Sequence, residues 1–286
     1  MNTSGEGILF TKMHGNGNDF LIIDNRLGEI PGHELPDLAL RLCRRRTSIG
    51  GDGLMAVERS DRGDIRMRLF NCDGSEGEMC GNGARCLARY AFEKGMAPAR
   101  MTIDTLAGPV VAEVEGVFAT LDMGVLETAS ALRGQVLILS GERLVYSQLN
   151  VGVPHTVIFQ DPGDERAEMD LARIARAFQS DRERFPQGTN VNFMKIRTTG
   201  EIDLRTYERG VNDFTMSCGT GSTAGAVAAW LEGKVSTPVE VRNPGGVNTV
   251  LIDEEGPGRV RLFLKGQTTA VAEGVVSGEC LQIREP

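Results

Sequence analysis

Apolar and polar positions divide the chain into two halves that repeat one another. Polarity alternates along Ile65–Phe70 and again along Ile202–Tyr207, which predicts one half-buried strand in each half. A polar loop follows each strand, and an Ala-rich apolar stretch then predicts a mostly buried helix. Each helix runs into a glycine, Gly95 or Gly233, the residue type that commonly ends a helix.

The repeat extends upstream of these strands. "GNDFLIID" in the first half corresponds to "GVPHTVIF" in the second, and both Asp37–Arg45 and Asp170–Phe178 have the apolar spacing of helices. The period of about 135 residues is far longer than the roughly 20–50 residues of solenoid repeats. The pattern therefore predicts an α+β fold of two pseudo-symmetric domains that face each other across a cleft.

Composition excludes several classes of protein. The formal net charge of −8 argues against a face that binds nucleic acid, and no apolar stretch reaches the roughly 18 residues of a membrane span. The first residues, "MNTSGEGILF", lack the basic and apolar regions of a signal peptide. We expect a cytoplasmic protein that binds neither nucleic acid nor membranes.

Six cysteines occur without a CxxC pair, so neither a metal site nor structural disulfides are expected. We interpret Cys43, Cys72, Cys86 and Cys280 as small buried packing residues. Cys80 and Cys218 differ from these four because each opens a Cys-Gly-X-Gly motif at the equivalent point of the repeat.

The two motifs place a thiol at the start of each predicted buried helix. A helix N-terminus carries unpaired N–H groups and a partial positive charge, and glycines there let an anion approach the backbone. Two such termini could hold the α-carboxylate of one amino acid. One thiolate, favoured by the same field, could then remove the α-proton while the opposite thiol protonates the other face. This chemistry is a two-base racemisation without a cofactor.

Six motifs give the chain a close resemblance to the diaminopimelate epimerase family along essentially its whole length. They are "KMHGNGNDF" (Lys12–Phe20), "FNCDGSEGEMCGNGARC" (Phe70–Cys86), "GVPH" (Gly152–His155), "GTNVNFM" (Gly188–Met194), "YERG" (Tyr207–Gly210) and "CGTGS" (Cys218–Ser222). The resemblance implies that each domain is a β-sheet wrapped around a central helix, with the active site in the cleft and the last strand returning to the first domain. We set the expected domain limits at 1–128 with 273–286, and at 129–272.

The resemblance also implies the roles of individual residues. Cys80 and Cys218 would be the catalytic bases, and His155 and Glu208 would tune them. The implied substrate-binding residues are Asn18, Asn71, Gly81, Asn82, Asn190, Glu208, Arg209, Gly219 and Thr220. Among these, Gly81, Asn82, Gly219 and Thr220 would present backbone N–H groups to the α-carboxylate. Arg209 suits a second carboxylate because its planar fork matches that geometry.

The expected reaction converts LL-diaminopimelate to the meso form in lysine and peptidoglycan biosynthesis, without a cofactor, in a homodimer. Two alternatives stay open at this point. A racemase of another amino acid, such as histidine, would use Val153 and Phe214 to accommodate a different side chain. A thiol-redox or binding protein would pair the two cysteines in a regulatory disulfide.

Overall fold

A computed structural model describes residues 7–161 and 163–282 of the chain, which divide into two compact units. The first unit comprises the described residues up to Leu121 together with those from Gly266 onward, and the second is Asp122–Lys265. The domain limits expected from the sequence lie close to the limits of these units. The expected limits stay a prediction.

The secondary structure consists mostly of strands, with five α-helices in the described residues. The elements of the first half are β1 (Leu9–Gly15), β2 (Asn18–Asp24), α1 (Leu35–Leu42), β3 (Gly53–Glu58), β4 (Ile65–Asn71), β5 (Glu76–Gly77), α2 (Gly81–Glu93), β6 (Arg100–Thr105), β7 (Gly108–Glu115) and β8 (Phe118–Glu127). A 3-10 turn (Thr128–Ser130) leads to β9 (Leu132–Leu139), β10 (Glu142–Asn150), β11 (Pro154–Phe159), α3 (Glu168–Ser180), β12 (Asn190–Thr198), β13 (Glu201–Tyr207), α4 (Gly219–Leu231), β14 (Val239–Asn243), β15 (Gly246–Gly256), β16 (Arg259–Gln267), β17 (Thr269–Val275) and α5 (Gly278–Gln282).

Strand pairing in the first unit follows a fixed sequence of directions. β1 and β2 are antiparallel, β2 and β3 are parallel, β3 and β4 are antiparallel, and β4 and β6 are parallel. In the registers, Phe20 of β2 lies opposite Gly53, and Gly53 lies opposite Asn71. β17 pairs with β1, with Leu9 opposite Val275, so the last strand belongs to the first unit as expected.

The second unit repeats this sequence of directions. β10 and β11 are antiparallel, β11 and β12 parallel, β12 and β13 antiparallel, and β13 and β14 parallel. His155 of β11 lies opposite Asn190 of β12, just as Phe20 of β2 lies opposite Gly53 of β3 in the first unit. The internal repeat predicted from the sequence is therefore confirmed down to the strand registers.

One helix in each unit lies against several strands. α2 packs on β1, β2, β3, β6 and β7, and α4 packs on strands β10 to β15. Both helices end in the same cap, because Gly95 and Gly233 adopt positive φ angles of 66° and 67°. The N–H of the residue after each glycine bonds a carbonyl in the last helical turn, Met96 to Ala91 and Lys234 to Ala229, which is a Schellman motif. The predicted ends of both helices are confirmed.

Two details differ from the sequence-based expectations. α1 ends at Leu42 rather than continuing to Arg45. Cys72 is exposed, so its assignment as a buried packing residue is wrong, because it lies in the turn that follows β4. Cys43 and Cys86 are buried as predicted, and half-buried Cys280 packs against the core of the first unit.

Candidate active site

Cys80 is the N-cap residue of α2. Its backbone is extended (φ −137°, ψ 121°), and its carbonyl accepts the first helical bond from the Ala84 N–H at 2.7 Å. Gly81 and Asn82 are the first helical residues, so their N–H groups lie ahead of the hydrogen-bond ladder of the helix. A Cβ at Gly83 would lie 3.0 Å from the Met55 sulfur. The second glycine of the motif thus lets the first helical turn pack closely on the sheet.

Asn18 and Asn82 lie beside the Cys80 sulfur. The Cys80 thiol donates to Asn18 Oδ1 at 3.5 Å, and Asn82 Nδ2 donates to the same oxygen at 3.3 Å. Asn18 Nδ2 donates to Asp52 Oδ2 at 2.7 Å, which fixes the direction of the Asn18 amide. Asn18 therefore orients the Cys80 thiol.

Arg85 is buried completely, one turn further along α2. One of its nitrogens donates to Asn82 Oδ1 at 2.8 Å. Its Nε and Nη1 groups are buried without a hydrogen-bond partner in the described part of the chain. Burial lowers the pKa of Arg85, and the nearby thiols of Cys86 and Cys80 act in the opposite direction.

Cys218 occupies the same position on α4, where it is the N-cap residue with extended backbone (φ −114°, ψ 117°). Its sulfur accepts a hydrogen bond from the Gly221 N–H at 3.3 Å and lies 3.4 Å from the Thr220 hydroxyl. Gly219 and Thr220 are the first helical residues, which leaves their N–H groups unpaired within the helix. A thiol that caps a helix through its own sulfur favours the thiolate.

The second glycine of this motif is more confined than its counterpart in α2. A Cβ at Gly221 would lie 2.7 Å from Asn192 Oδ1, 2.7 Å from Thr206 Oγ1 and 3.1 Å from the Cys218 Cβ. The approach of the helix to β12 and β13 therefore requires glycine. This close contact explains why the Cys-Gly-X-Gly motif needs its second glycine.

Glu208 follows β13 and reaches Cys218. Its carboxylate accepts from the Thr215 hydroxyl at 2.6 Å and forms a side-chain hydrogen bond with Cys218. Burial raises the pKa of the Glu208 carboxyl, although both hydrogen bonds act to lower it. Within the second unit, a carboxyl that retains its proton more readily than usual thus contacts the thiol.

His155 lies in β11 and is fully buried. Asn192 Nδ2 lies 3.1 Å from His155 Nδ1 and 2.9 Å from the Thr156 carbonyl. Because the Asn192 amide can only donate here, His155 Nδ1 is the acceptor and Nε2 carries the hydrogen. This Nε2 is buried without a partner among the described residues. Burial lowers the pKa of His155 to about 3, so the ring is neutral at physiological pH.

Arg209 and Asn190 lie together at the end of β13. Asn190 Oδ1 accepts from the Arg209 backbone N–H at 2.8 Å, and the exposed Arg209 side chain donates to the Gln187 carbonyl. In the described residues the guanidinium has no carboxylate at ion-pair distance. Its remaining donors are therefore available to a ligand carboxylate.

Phe214, in the loop between Arg209 and Cys218, packs inside the second unit. Its ring lies 5.2 Å from the Tyr207 ring and 6.1 Å from the Phe193 ring, measured between centroids. The Arg205 guanidinium carbon lies 4.5 Å above its centre. These three contacts anchor the loop that carries Glu208 and Thr215.

Asn71, like His155, Asn190 and Arg209, makes none of the described hydrogen bonds to a thiol. It is exposed, and its amide donates to the Ser75 hydroxyl at 2.9 Å. The structure therefore brings Asn18, Gly81 and Asn82 to Cys80, and brings Glu208, Gly219 and Thr220 to Cys218. Asn190 pairs with Arg209, and His155 pairs with Asn192.

Sequence reasoning missed four supporting residues: Asp52, Arg85, Asn192 and Thr215. Arg85 and Asn192 lie inside the quoted motifs, so their motif membership was the available signal. Asp52 and Thr215 act through single side-chain bonds to Asn18 and Glu208, which no local pattern encodes.

The described residues lack two features. No three His, Cys, Asp or Glu side chains are grouped so that they could hold a metal ion. None of the helices in the described part of the chain has the length and hydrophobicity that a membrane span requires.

Comparison with known proteins identifies the family. The family model described as diaminopimelate epimerase matches residues 10–128 and again 148–270, once in each half of the repeat. The chain belongs to the diaminopimelate epimerase family. This membership accounts for the two cysteine motifs, which fall within the two matched segments.

Individual relatives agree over nearly the full length. The diaminopimelate epimerase of Methanothrix thermoacetophila is 41% identical over 283 residues, covering 96% of this chain and 97% of that protein. The diaminopimelate epimerase of Archaeoglobus fulgidus is 39% identical over 280 residues, covering 94% and 96%. The fold is also similar to the crystal structure of a PhzF-family phenazine biosynthesis protein from Bacillus anthracis (TM-score 0.68, 17% identity, covering 95% of this chain and 99% of that one).

Proposed function

We propose that this chain is a cofactor-independent epimerase that interconverts LL-diaminopimelate and meso-diaminopimelate, as a step in lysine and peptidoglycan synthesis. The observation that carries the proposal is the pair of N-cap cysteines, Cys80 and Cys218, at equivalent positions of the repeat. The names of the relatives supply the substrate. The mechanism requires both helix N-termini to reach one substrate, and this requirement is part of the proposal.

In this mechanism the α-carboxylate binds to the N–H groups of Gly81, Asn82, Gly219 and Thr220. These groups lie ahead of the hydrogen-bond ladders of their helices, and they can also stabilise the negative charge that develops when the α-proton leaves. One thiolate removes this proton, and the opposite thiol delivers its own proton to the other face of Cα. The configuration inverts, and each cysteine ends in the protonation state that the other had. The reverse reaction exchanges their roles.

Glu208 and His155 have environments that suit a tuning role. Glu208 contacts Cys218 directly, and burial raises its pKa, so it can share a proton with the thiol. His155 is neutral and has an unpaired Nε2–H, which can donate to a thiolate. Loss of either side chain should therefore change the pH dependence of the reaction and not only its maximal rate.

The far end of diaminopimelate carries a second carboxylate and a second ammonium group. Arg209 is the proposed partner of the carboxylate, because its guanidinium is exposed and has no carboxylate partner in the described part of the chain. Asn18, Asn71 and Asn190 would supply the remaining hydrogen bonds to substrate. A single-headed amino acid would leave Arg209 unpaired.

The direct test incubates the purified protein with LL-diaminopimelate, lysine and histidine in separate reactions without an added cofactor. Chiral chromatography should show meso-diaminopimelate and little inversion of the other two amino acids. In D₂O, deuterium should enter Cα during turnover. Inversion of lysine or histidine at a kcat/KM equal to that of diaminopimelate would refute the proposed substrate.

The histidine-racemase alternative loses one of its two supports. Phe214 packs on Tyr207, Phe193 and Arg205, so its ring is engaged within the second unit. Val153 still offers no hydrogen bond to a substrate. The redox alternative is tested by oxidising the protein in air and mapping peptides. A Cys80–Cys218 disulfide that abolishes activity reversibly supports proximity of the thiols, whereas activity retained only in the oxidised protein supports the redox reading.

We also propose that the active form is a cytoplasmic homodimer. The support is the resemblance to the family together with the absence of a membrane-spanning helix among the described residues. Light scattering on the eluate of a size-exclusion column should give twice the mass of the 30.9 kDa chain. A mass equal to one chain would contradict the dimer without affecting the catalytic proposal.

A further inference from the structure

Arg85 has an environment that is unusual for an arginine. Its side chain is fully buried in the first unit, where a guanidinium charge is costly unless it is neutralised and hydrogen-bonded. Only one hydrogen bond is made, to Asn82 Oδ1 at 2.8 Å, and Nε and Nη1 have no partner in the described part of the chain. A buried cation with two vacant donors indicates that a negative charge develops nearby at some stage of the protein's function.

The ionisable groups around Arg85 limit where that charge can arise. The Arg85 charge interacts with two thiols, those of Cys86 and Cys80. Cys86 is fully buried, and burial raises its pKa to about 12, so it stays neutral. Cys80 is half-buried and lies at the N-terminus of α2, which favours a thiolate.

Other charges on this side of the first unit are already balanced. Asp52 approaches Cys80 through the Asn18 amide, and Arg45 pairs with Asp52 at 2.8 Å and with Asp19 at 2.6 Å. Lys12 pairs with Asp19 at 3.1 Å. Two carboxylates thus face two cations, and within the described part of the chain no carboxylate pairs with Arg85.

The orientation of Asn18 is a second reason why a Cys80 thiolate requires a nearby cation. The Asp52 carboxylate holds the Asn18 amide so that its Oδ1 faces the Cys80 sulfur at 3.5 Å. A carbonyl oxygen accepts a bond from a thiol but repels a thiolate, so this contact by itself favours the protonated form. A base at this position requires a compensating positive charge.

We propose that Arg85 is a positioning residue whose buried guanidinium is the counter-ion of the Cys80 thiolate. Arg85 lies one turn into α2 and is connected to the thiol through two amides. Arg85 donates to Asn82, and both Asn82 and the Cys80 thiol donate to Asn18 Oδ1. The inference rests on the proposed function, because it assumes that Cys80 must lose and regain a proton in each reaction cycle. The second unit has no equivalent cation, since the matching residue, Thr223, is buried and bonds the Gly219 carbonyl at 3.1 Å.

The test measures the ionisation of each cysteine separately and does not depend on turnover. The reduced protein is treated with iodoacetamide across a pH series, and peptide mass spectrometry gives the alkylation rates of Cys80 and Cys218. In Arg85→Met the midpoint for Cys80 should rise by about one pH unit or more. Arg85→Lys, which keeps the charge, should leave the midpoint closer to that of the unmodified protein. The midpoint for Cys218 should not change in either variant.

Arg89→Met is the matched control, because Arg89 lies on the same helix and pairs with exposed Glu93 at 2.8 Å. It removes the same charge from a half-buried ion pair, where Arg89 also donates to the Thr268 carbonyl at 2.7 Å, and it should move neither midpoint. An unchanged Cys80 midpoint in Arg85→Met, an equal rise in Arg85→Lys, or a shift of both cysteines together overturns the proposal.

If Arg85→Met fails to fold, the alkylation midpoint of Cys80 in the unmodified protein provides the test. A Cys80 midpoint below the value of about 8.5 for an ordinary thiol supports the counter-ion, and a midpoint above it overturns the proposal. The failure of this inference is distinguishable from failure of the proposed function. Chiral analysis of diaminopimelate tests the reaction, whereas alkylation tests only the ionisation of Cys80.

Discussion

The two thiols share one backbone design but have different side-chain support. Both cap a buried helix from extended backbone, and both helices end in the same glycine cap. Cys218 accepts an N–H bond from Gly221 and contacts a Glu208 carboxyl whose pKa is raised by burial. Cys80 instead donates to the Asn18 amide and lies near the buried Arg85 charge.

This difference distinguishes the backbone features that both units share from the side chains that are particular to one unit. The repeat preserves the helix N-terminus, which can bind a carboxylate and favours a thiolate in either unit. The side chains around each thiol differ in kind from those at the equivalent positions of the other unit. Asn18 corresponds to Val153, Arg85 to Thr223 and Asn71 to Glu208. Two bases of similar geometry can therefore be given different proton affinities.

The largest effect that we expect comes from removing either thiol. Cys80→Ala and Cys218→Ala should each reduce epimerisation by roughly 10²- to 10⁴-fold, the usual contribution of a general acid or base. The two variants should differ in D₂O. Each retains one base, so each should exchange the α-proton of one diastereomer without inversion, and the two variants should select opposite diastereomers. Proton NMR of LL- and meso-diaminopimelate measures this exchange.

One result of the exchange experiment would contradict the assignment of the two cysteines to opposite faces of Cα. If both alanine variants exchange the same diastereomer, the cysteines do not serve opposite faces. Cys72→Ala is the control, because this exposed thiol lies outside the proposed machinery. It should leave both exchange rates unchanged.

In the second unit the exposed Arg209 guanidinium lies in the loop that leads to Cys218, which predicts the next largest effect. Arg209→Lys should reduce kcat/KM for LL-diaminopimelate by roughly 10- to 100-fold, because a bidentate, charge-assisted contact is lost. Steady-state kinetics with diaminopimelate and lysine measures the change in preference. Arg182→Lys is the matched control, since a Cβ at Gly188 would meet both the Arg182 and the Arg209 side chains. An unchanged preference in Arg209→Lys would refute the clamp.

The helix starts should differ in their tolerance of alanine. Gly221→Ala should cost about 1–3 kcal/mol in the free energy of unfolding, because its Cβ would lie 2.7 Å from two polar side-chain atoms. Gly83→Ala should cost less, since the nearest atom is the sulfur of a flexible methionine at 3.0 Å, and alanine favours the helix by about 1 kcal/mol. Urea unfolding measures both. Equal costs would show that the two helix starts are packed alike.

The smallest effect concerns the pH dependence of stability. Burial raises the pKa of Glu208 in the folded protein, above a value of about 4.3 in the unfolded chain. Its contribution to stability is therefore complete below that pH and declines as the pH rises through the folded-state pKa. Glutamine does not titrate, so the unmodified protein should lose stability relative to Glu208→Gln between pH 4 and 8.

Thermal unfolding across this pH range measures the difference, which should not exceed about 3 °C in Tm. Glu183→Gln, at an exposed position, is the control and should run parallel to the unmodified protein. A gap between Glu208→Gln and the unmodified protein that is constant with pH would mean that the Glu208 pKa is not raised.

The sequence alone was sufficient for the repeated architecture. Alternation predicted the strands at Ile65 and Ile202, and glycine predicted the helix ends at Gly95 and Gly233. Such features depend on residues near one another in the chain, so a local pattern can encode them. The equivalent positions of Cys80 and Cys218 also follow from the sequence, because the repeat fixes their place relative to each strand and helix.

Only the tertiary structure decided how each thiol is supported. Asp52 orients Asn18, Thr215 bonds Glu208, and Asn192 fixes the tautomer of His155. These partners come from different strands and loops, and a hydrogen bond depends on distances of a few tenths of an ångström that no local pattern encodes. Arg85 is the clearest case, since a helix residue with that spacing could equally lie on the surface. Its complete burial follows from the strands that pack around α2, and burial turns an ordinary arginine into a strong local charge.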